Sequence, residues 1–217
     1  MTYEGECQFC LEFKGLSGAL YAQFAEADPP DRTIYRAKNF RIIPPLGEFV
    51  EGAVMIVSER HVASCSLFSQ DEYEELESLL ETTEAVLTRE FMRPIFFEHG
   101  PSVCAGKGVC CVDHAHVHAF PVEVDVHGFL APRLPATEIR AMSELERCQS
   151  GPRGYLFLQQ QGRRFHYPCD VIPSQLIRQV IASALGVPER WNWRDYLGLA
   201  EMRRTWERLR HANWRLA

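Results

Sequence analysis

Residues 113–120 read Asp-His-Ala-His-Val-His-Ala-Phe. The histidines alternate with small apolar residues, and this period of two predicts a β-strand. Successive side chains of a strand point to opposite faces. We therefore expect His114, His116 and His118 on one face, and the residues between them on a face that a core covers. Three neighbouring imidazoles are costly to bury without a chemical role, so the row predicts a functional site.

Two kinds of chemistry use such a row of histidines. A neutral imidazole is a competent nucleophile toward phosphorus or an acyl centre near pH 7. Histidines paired on a strand can instead chelate zinc, as they do in hydrolytic metal sites. The strand by itself leaves both possibilities open.

Length and composition limit the class of protein. A chain of 217 residues suits one domain, or one domain with an extension, and can bury a substantial core. The net charge is −6, and carboxylates crowd the segment from Asp71 to Glu84, which argues against nucleic acid as a partner. No apolar run is long enough to cross a membrane, and the N-terminal residues do not resemble a signal peptide. We therefore expect a cytoplasmic protein with no membrane partner.

The cysteines give a second clue. Without a secretory signal, the eight cysteines favour metal binding or free thiols over disulfides. Cys7 and Cys10 form a Cys-x-x-Cys pair, which is half of a zinc site or, when it opens a helix after a strand, a redox pair. No strand is predicted before Cys7, so a metal site is favoured, and it needs two further ligands.

Periodicity and turn residues predict a chain that contains both helices and strands. A capping box from Ser69 to Glu72 opens an amphipathic helix. The other predicted elements, in chain order, are a short helix at 16–27, strands at 33–36, 40–43, 52–57 and 94–97, the histidine strand, a linker at 128–135, a helix at 137–146, a hairpin at 154–167 that turns at Gln161-Gly162, and helices at 173–186 and near the C-terminus.

Four of these features occur in a recognisable order. The chain carries Cys-x-x-Cys at residues 7–10, an apolar strand that begins at Gly52 and leads to His61, an acidic-faced helix, and His-x-His-x-His at residues 114–118. Over about residues 5–122 it resembles the histidine-triad (HIT) superfamily of nucleotide hydrolases and transferases. The resemblance implies an α+β fold, with a mostly antiparallel sheet and packed helices, and assembly as a homodimer.

The resemblance also implies roles for individual residues. His116 matches the nucleophile that attacks an α-phosphate and forms a nucleotidyl-imidazole, and His118 would hydrogen-bond the phosphate or the leaving group. Transferase and phosphorylase branches often carry glutamine at this third position, so His118 favours hydrolysis. In zinc-carrying members the structural zinc has four ligands, which match Cys7, Cys10, His61 and His114.

Departures from the family pattern concern the substrate contacts. Many members have a glutamine where this chain has Cys110, and the aspartate that often holds the ribose falls near Pro45. Ser102 and Lys107, in the loop before the histidine strand, are candidates to supply the missing phosphate contacts. His99 is a further candidate to contact substrate.

The chain after Val122 leaves the pattern of the small HIT proteins. We expect a HIT domain with an N-terminal zinc knuckle at residues 1–127, and a C-terminal α/β extension at residues 128–217 that packs on it. The extension faintly resembles that of larger bacterial HIT-like proteins, in which a Gln-x-x-Arg pair opens a helix. Gln175 and Arg178 match this pair, and a helix N-terminus is a natural anion site.

The resemblance implies an enzyme that hydrolyses nucleoside phosphoramidates, dinucleoside polyphosphates or related nucleotide conjugates, with a small-molecule nucleotide as its substrate. A nucleotidyltransferase or phosphorylase of the same superfamily is the alternative. A non-catalytic nucleotide-binding HIT module is disfavoured by the intact His116 and His118. A metallohydrolase built on the histidine row is disfavoured by Cys7 and Cys10, which offer a metal a closed site elsewhere.

Overall fold

The computed structural model describes residues 7–24, 28–101, 114–150, 154–169, 173 and 175–214. Ser102 and Lys107, predicted to contact substrate, lie outside these residues. The described strands form one eight-stranded sheet in which every pairing is antiparallel. These strands are β1 (Tyr35–Arg36), β2 (Phe40–Ile43), β3 (Val54–Ser58), β4 (Ile95–Pro101), β5 (His116–Phe120), β6 (Thr137–Ile139), β7 (Gly154–Gln160) and β8 (Arg163–Cys169).

The helices of the described residues pack on both faces of this sheet, whose strand order is β1-β2-β3-β5-β4-β7-β8-β6. The predicted α+β class is therefore confirmed. No described helix has both the length and the apolar character needed to cross a membrane. The helices are α1 (Gln8–Phe13), α2 (Leu20–Phe24), α3 (Gln70–Glu90), α4 (Val126–Leu130), α5 (Leu176–Ala184) and α6 (Leu199–Leu209).

The alternation of residues 115–120 divides β5 between two environments. Val117 and Ala119 are fully buried against the apolar side of α3, which the predicted capping box between Ser69 and Glu72 opens. His116 and His118 lie on the opposite face. The predicted strand is thus confirmed, except that His114 lies just before its first residue.

The C-terminal part of the chain continues the same sheet. β7 pairs with β4 along its length, and the predicted hairpin joins β7 to β8. Gln161 and Gly162, at its turn, both have positive φ, as a two-residue hairpin turn requires. The predicted domain boundary at residue 127 falls inside α4, so the extension adds strands and helices to the sheet without a break in this region.

Two predictions for this region are wrong. The predicted linker at 128–135 begins inside α4, because Asp125 caps this helix with a hydrogen bond from the Gly128 N–H to its carboxylate (2.8 Å). The predicted helix at 137–146 is instead the edge strand β6 followed by a 3₁₀ helix, Met142–Ser150. Pairing of β6 with β8 supplies backbone hydrogen bonds that outweigh the local helix preference.

The last helix is locked onto the connection between β2 and β3. Thr205 of α6 donates a hydrogen bond to the buried Glu48 carboxylate and accepts one from the Gly52 N–H (2.8 Å). Burial raises the pKa of Glu48 well above its usual range. Gly198 has φ +57°, and a Cβ there would overlap the Glu48 carbonyl oxygen, so this close contact requires glycine.

A second buried carboxylate lies on the α3 side of the sheet. Glu98 is 2 % exposed and accepts hydrogen bonds from the Tyr155 hydroxyl (2.6 Å) and the Cys65 N–H (2.8 Å). Burial raises the pKa of Glu98 to about 7, although these hydrogen bonds oppose the rise. Folding therefore stabilises the protonated form of this side chain.

We expect the stability of the protein to depend on pH through Glu98. Because the folded-state pKa lies above the usual value, the contribution of Glu98 is fully present below about pH 4.5 and is lost as pH rises through 7. The loss amounts to about 3 kcal/mol in the free energy of unfolding. Denaturant titrations of wild type and Glu98→Gln from pH 4.5 to 8 check this, because the variant lacks the titration. Parallel stability curves for the two proteins would contradict the expectation.

Candidate catalytic cavity and metal centre

Four side chains from three separate segments of the sequence meet near the start of the histidine strand. Cys7 caps α1, Cys10 lies in its first turn, His61 follows β3 and His114 precedes β5. One donor atom from each residue lies within 4.8 Å of all the others. The structure therefore brings together all four predicted metal ligands, and they can hold a metal ion.

Four distances between donor atoms of this cluster fit tetrahedral coordination. The Nδ1 atoms of His61 and His114 are 3.3 Å apart, and the Cys10 Sγ lies 3.4 Å from His61 Nδ1 and 3.7 Å from His114 Nδ1. Cys7 Sγ lies 3.3 Å from His114 Nδ1. A tetrahedral ion with nitrogen and thiolate ligands at about 2.0–2.3 Å separates those ligands by about 3.3–3.8 Å.

The orientation of His114 also suits a metal ligand. Its Nε2 lies 2.7 Å from the carbonyl oxygen of Ser58, so Nε2 carries the proton and donates to it. The lone pair is then on Nδ1, the atom that faces the other three ligands. This hydrogen bond fixes the tautomer and the ring plane, as outer-sphere partners of metal-bound histidines do.

His116 is held in the opposite tautomer. Its Nδ1 donates a hydrogen bond to the carbonyl oxygen of His114 (2.7 Å), so the lone pair of the neutral ring is on Nε2. Burial lowers the pKa of His116, although this hydrogen bond opposes the shift. The imidazole is therefore neutral at pH 7 and carries an unprotonated nitrogen, Nε2.

His118 is the next histidine along the strand and is packed among aromatic rings. Its ring centroid lies 4.9 Å from that of His116, and the Phe97 ring stacks on it at 4.7 Å. Burial, His116 and Arg178 together hold the pKa of His118 well below its usual range. Its Nδ1 is buried without a hydrogen-bond partner among the described residues. A neutral imidazole in this position can hydrogen-bond a ligand that enters beside His116.

These two histidines form part of the floor of one cavity, whose walls come from both ends of the chain. Neighbouring strands give the floor further side chains, including His99 on β4, and α1 and α2 form one wall. Gln175 and Arg178 belong to the opposite wall, at the start of α5. The cavity thus gathers the described residues that were predicted as catalytic or substrate-binding: His99, His116, His118, Gln175 and Arg178.

The Arg178 side chain is buried and hydrogen-bonded to the backbone, which a residue that only contacts substrate would not need. It is 4 % exposed, and its guanidinium donates to the carbonyl oxygens of Trp191 (2.9 Å) and Gly47 (2.5 Å). It also lies over the Phe49 ring, 4.9 Å from the centroid. The side chain therefore fastens the C-terminal wall of the cavity to the connection between β2 and β3. Its predicted role in substrate binding stays a prediction.

We expect Arg178→Ala to lower the free energy of unfolding by about 2–4 kcal/mol. The substitution removes the donor from a buried carbonyl group, that of Gly47, and from a partly buried one, that of Trp191. Denaturant unfolding measures the loss. Arg190→Ala is the control: its side chain is 39 % exposed with a 3.4 Å ion pair to Glu189, and a change below about 1 kcal/mol is expected. Equal losses in the two variants would contradict the fastening role.

The sequence did not predict the N-terminal wall. Arg32, 2 % exposed, forms a two-point ion pair with Glu12 of α1 (2.6 and 2.8 Å) and lies over the Tyr21 ring of α2 at 4.8 Å. All three residues line the cavity. No periodic pattern marks Arg32, since it follows a turn and pairs with a residue twenty positions earlier. Trp193 lines the C-terminal wall.

Comparison with known proteins adds no family to this picture. No protein-family model matches the chain, and no curated protein matches it. The functional assignment therefore depends on the geometry of the cavity and on the residues that line it.

Proposed function

We propose that this protein is a nucleotide phosphohydrolase of the histidine-triad type, which cleaves its substrate at the α-phosphate through a nucleotidyl-histidine intermediate on His116. The observation that carries the proposal is the state of this imidazole. It is neutral, its Nδ1–H is held by the His114 carbonyl at 2.7 Å, and it lines a cavity. A neutral ring with its lone pair fixed on Nε2 is the form in which histidine attacks phosphorus.

In the first half of the proposed reaction, Nε2 of His116 forms a bond to the α-phosphorus while the bond to the leaving group breaks. The leaving group departs with the bonding electron pair and takes up a proton. His118 makes an edge contact with the His116 ring at a centroid distance of 4.9 Å, and it carries one N–H in its neutral form. We assign it a hydrogen bond to the phosphoryl oxygen or to the leaving atom, where charge develops.

In the second half, water adds to the phosphorus and the P–N bond breaks. The electron pair returns to Nε2, one proton of the water goes to solvent, and the nucleoside monophosphate leaves. The Arg178 guanidinium lies close enough to lower the pKa of His118, and its positive charge favours phosphoryl oxygens in the same cavity. Gln175, His99, Ser102 and Lys107 are the other proposed substrate contacts.

The metal we propose for the Cys2His2 cluster is zinc. Cysteine thiolates with imidazole nitrogens are its preferred ligands, and a set of four protein ligands leaves no position for water or substrate. Such an ion contributes folding free energy and joins the N-terminus to the histidine strand. Chemistry at the phosphate is therefore assigned to His116 and not to metal-bound water.

A substrate screen with detection of the intermediate tests the proposal. The purified protein is offered adenosine and guanosine 5′-phosphoramidates, dinucleoside polyphosphates and nucleotide sugars, and products are separated by chromatography. We expect release of a nucleoside monophosphate. With a slow substrate, the intact mass should increase by one nucleotidyl group, on a peptide that contains His116, and the group should be lost in acid.

Failure of this test takes distinguishable forms. Binding of nucleotides without any product or adduct would indicate a non-catalytic module. Turnover without an adduct, abolished by removal of a metal, would indicate a metallohydrolase.

A nucleotidyltransferase or phosphorylase is the second candidate. The apolar part of the cavity lining favours it, because side chains such as Phe97, Leu156, Ile177 and Trp193 limit access of water to the intermediate. The first half of the reaction is the same, and the acceptor differs. Presenting the isolated adduct with phosphate or a sugar phosphate, and comparing the rate with that in buffer alone, separates the two activities.

A further inference from the structure

One aromatic residue of α1 lies between the metal cluster and the proposed nucleophile. Phe9 is 6 % exposed, and its ring makes edge contacts with both His114 and His116 at centroid distances of 5.5 Å. Phe9 also lines the cavity. Through this ring the N-terminal helix contacts the imidazole of His116.

The imidazole of His116 needs a contact of this kind. A hydrogen bond from its Nδ1 to the His114 carbonyl fixes one edge of the ring. Rotation about that edge is limited by the rings on either side, which are His118 at 4.9 Å and Phe9 at 5.5 Å. Because a nucleophile must be aligned with the phosphorus, an error of about 1 Å can cost about 100-fold in rate.

The position of Phe9 depends in turn on the metal ligands. The helix α1 has only six residues, and a helix of this length is not stable without tertiary contacts. Cys7 and Cys10 lie on either side of Phe9 in the sequence and belong to the metal cluster. The Glu12–Arg32 ion pair fastens the other end of the helix. The ligands and the ion pair therefore hold the Phe9 ring against His116.

We propose that Phe9 is a positioning residue for His116, and that it couples the metal centre to the chemical step. This inference rests on the proposed function, in which His116 is the nucleophile. It gives the Cys2His2 cluster a part in the orientation of the nucleophile as well as in folding. The coupling passes through packing of the Phe9 ring and requires no metal-bound reactant.

The test compares the metal-loaded wild type with Phe9→Ala, Phe9→Tyr and Phe13→Ala. For Phe9→Ala we expect the rate of adduct formation and kcat to fall about 100-fold, with KM within about threefold of wild type and the metal content unchanged. Phe9→Tyr retains the ring and should recover most of the rate. Phe13 is the matched control, because it belongs to the same helix and contacts both Phe9 (6.2 Å) and His114 (6.4 Å), but it is not among the residues that line the cavity.

A crystal structure of metal-loaded Phe9→Ala gives a readout that does not depend on activity. We expect the His116 ring to lose its single orientation or its hydrogen bond to the His114 carbonyl. A rise in KM alone would make Phe9 a substrate contact, and loss of the metal would make it a support of the cluster. Either result overturns the proposal, as does an unchanged rate in Phe9→Ala. Absence of the adduct in wild type would instead refute the proposed function.

Discussion

Substitution of His116 by asparagine is expected to reduce turnover by at least about 10³-fold, the scale of losing a covalent catalyst. Asparagine lacks the basic nitrogen that His116 presents at Nε2, so the nucleotidyl intermediate cannot form. The variant should keep its fold, because His116 is only partly buried and belongs to a strand paired on both sides. Steady-state kinetics measures the loss of turnover, and intact-mass analysis with a slow substrate measures the loss of the nucleotidyl adduct.

His127→Asn is the matched control for this variant. His127 is also a half-buried histidine, but it stacks on Phe165 at 3.8 Å and hydrogen-bonds the Tyr167 hydroxyl at 2.6 Å, outside the cavity. Its variant should retain wild-type turnover and the adduct. Near-normal turnover in His116→Asn would end the covalent mechanism and transfer the role of nucleophile to a metal-activated water.

Replacement of both Cys7 and Cys10 by serine is expected to remove the metal. Wild type should carry about one zinc ion per chain, since the four ligands form one closed set. The variant lacks both thiolates and should lose about 3 kcal/mol or more in stability. For a chain of this size, that loss corresponds to a fall in Tm of about 6–12 °C. Elemental analysis and thermal unfolding provide the two measurements.

Cys169→Ala separates loss of the metal from loss of a buried thiol. Cys169 is buried in the core beside β7 and takes no part in the cluster, so the variant should keep the metal. If freshly purified wild type contains no metal, and the double serine variant melts at the same temperature, the assignment of a zinc centre is wrong.

Much of this fold could be predicted because its signals are local. The period-two row of histidines predicts β5, the capping box predicts the start of α3, and Gln161-Gly162 predicts the hairpin turn, all within a few residues. Such signals carry information because a strand or helix repeats its environment at a fixed spacing. The same locality explains the errors at 128–135 and 137–146. There, an aspartate cap and pairing with β8 decided the structure.

The candidate site also combines features that could be predicted from the sequence with features that only the structure shows. The resemblance implied which residues would form the metal cluster, and the structure brings these four together from three separate segments of the chain. Separate roles for His114 and His116 were also implied and stay predictions. The hydrogen bonds that give these two rings opposite tautomers, to the Ser58 and His114 carbonyls, are visible only in three dimensions.

The walls of the cavity were decided by tertiary structure alone. Arg32 and Phe9 come from the N-terminal segment, and Arg178 and Trp193 come from a segment more than a hundred residues later. No periodic pattern links them, because they meet only where α1, α2 and α5 pack on one face of the sheet. The sequence therefore determined the strand that carries the two cavity histidines. Packing of both chain ends on that strand determined which side chains face them, since burial and ion pairing act between residues that only the complete fold brings into contact.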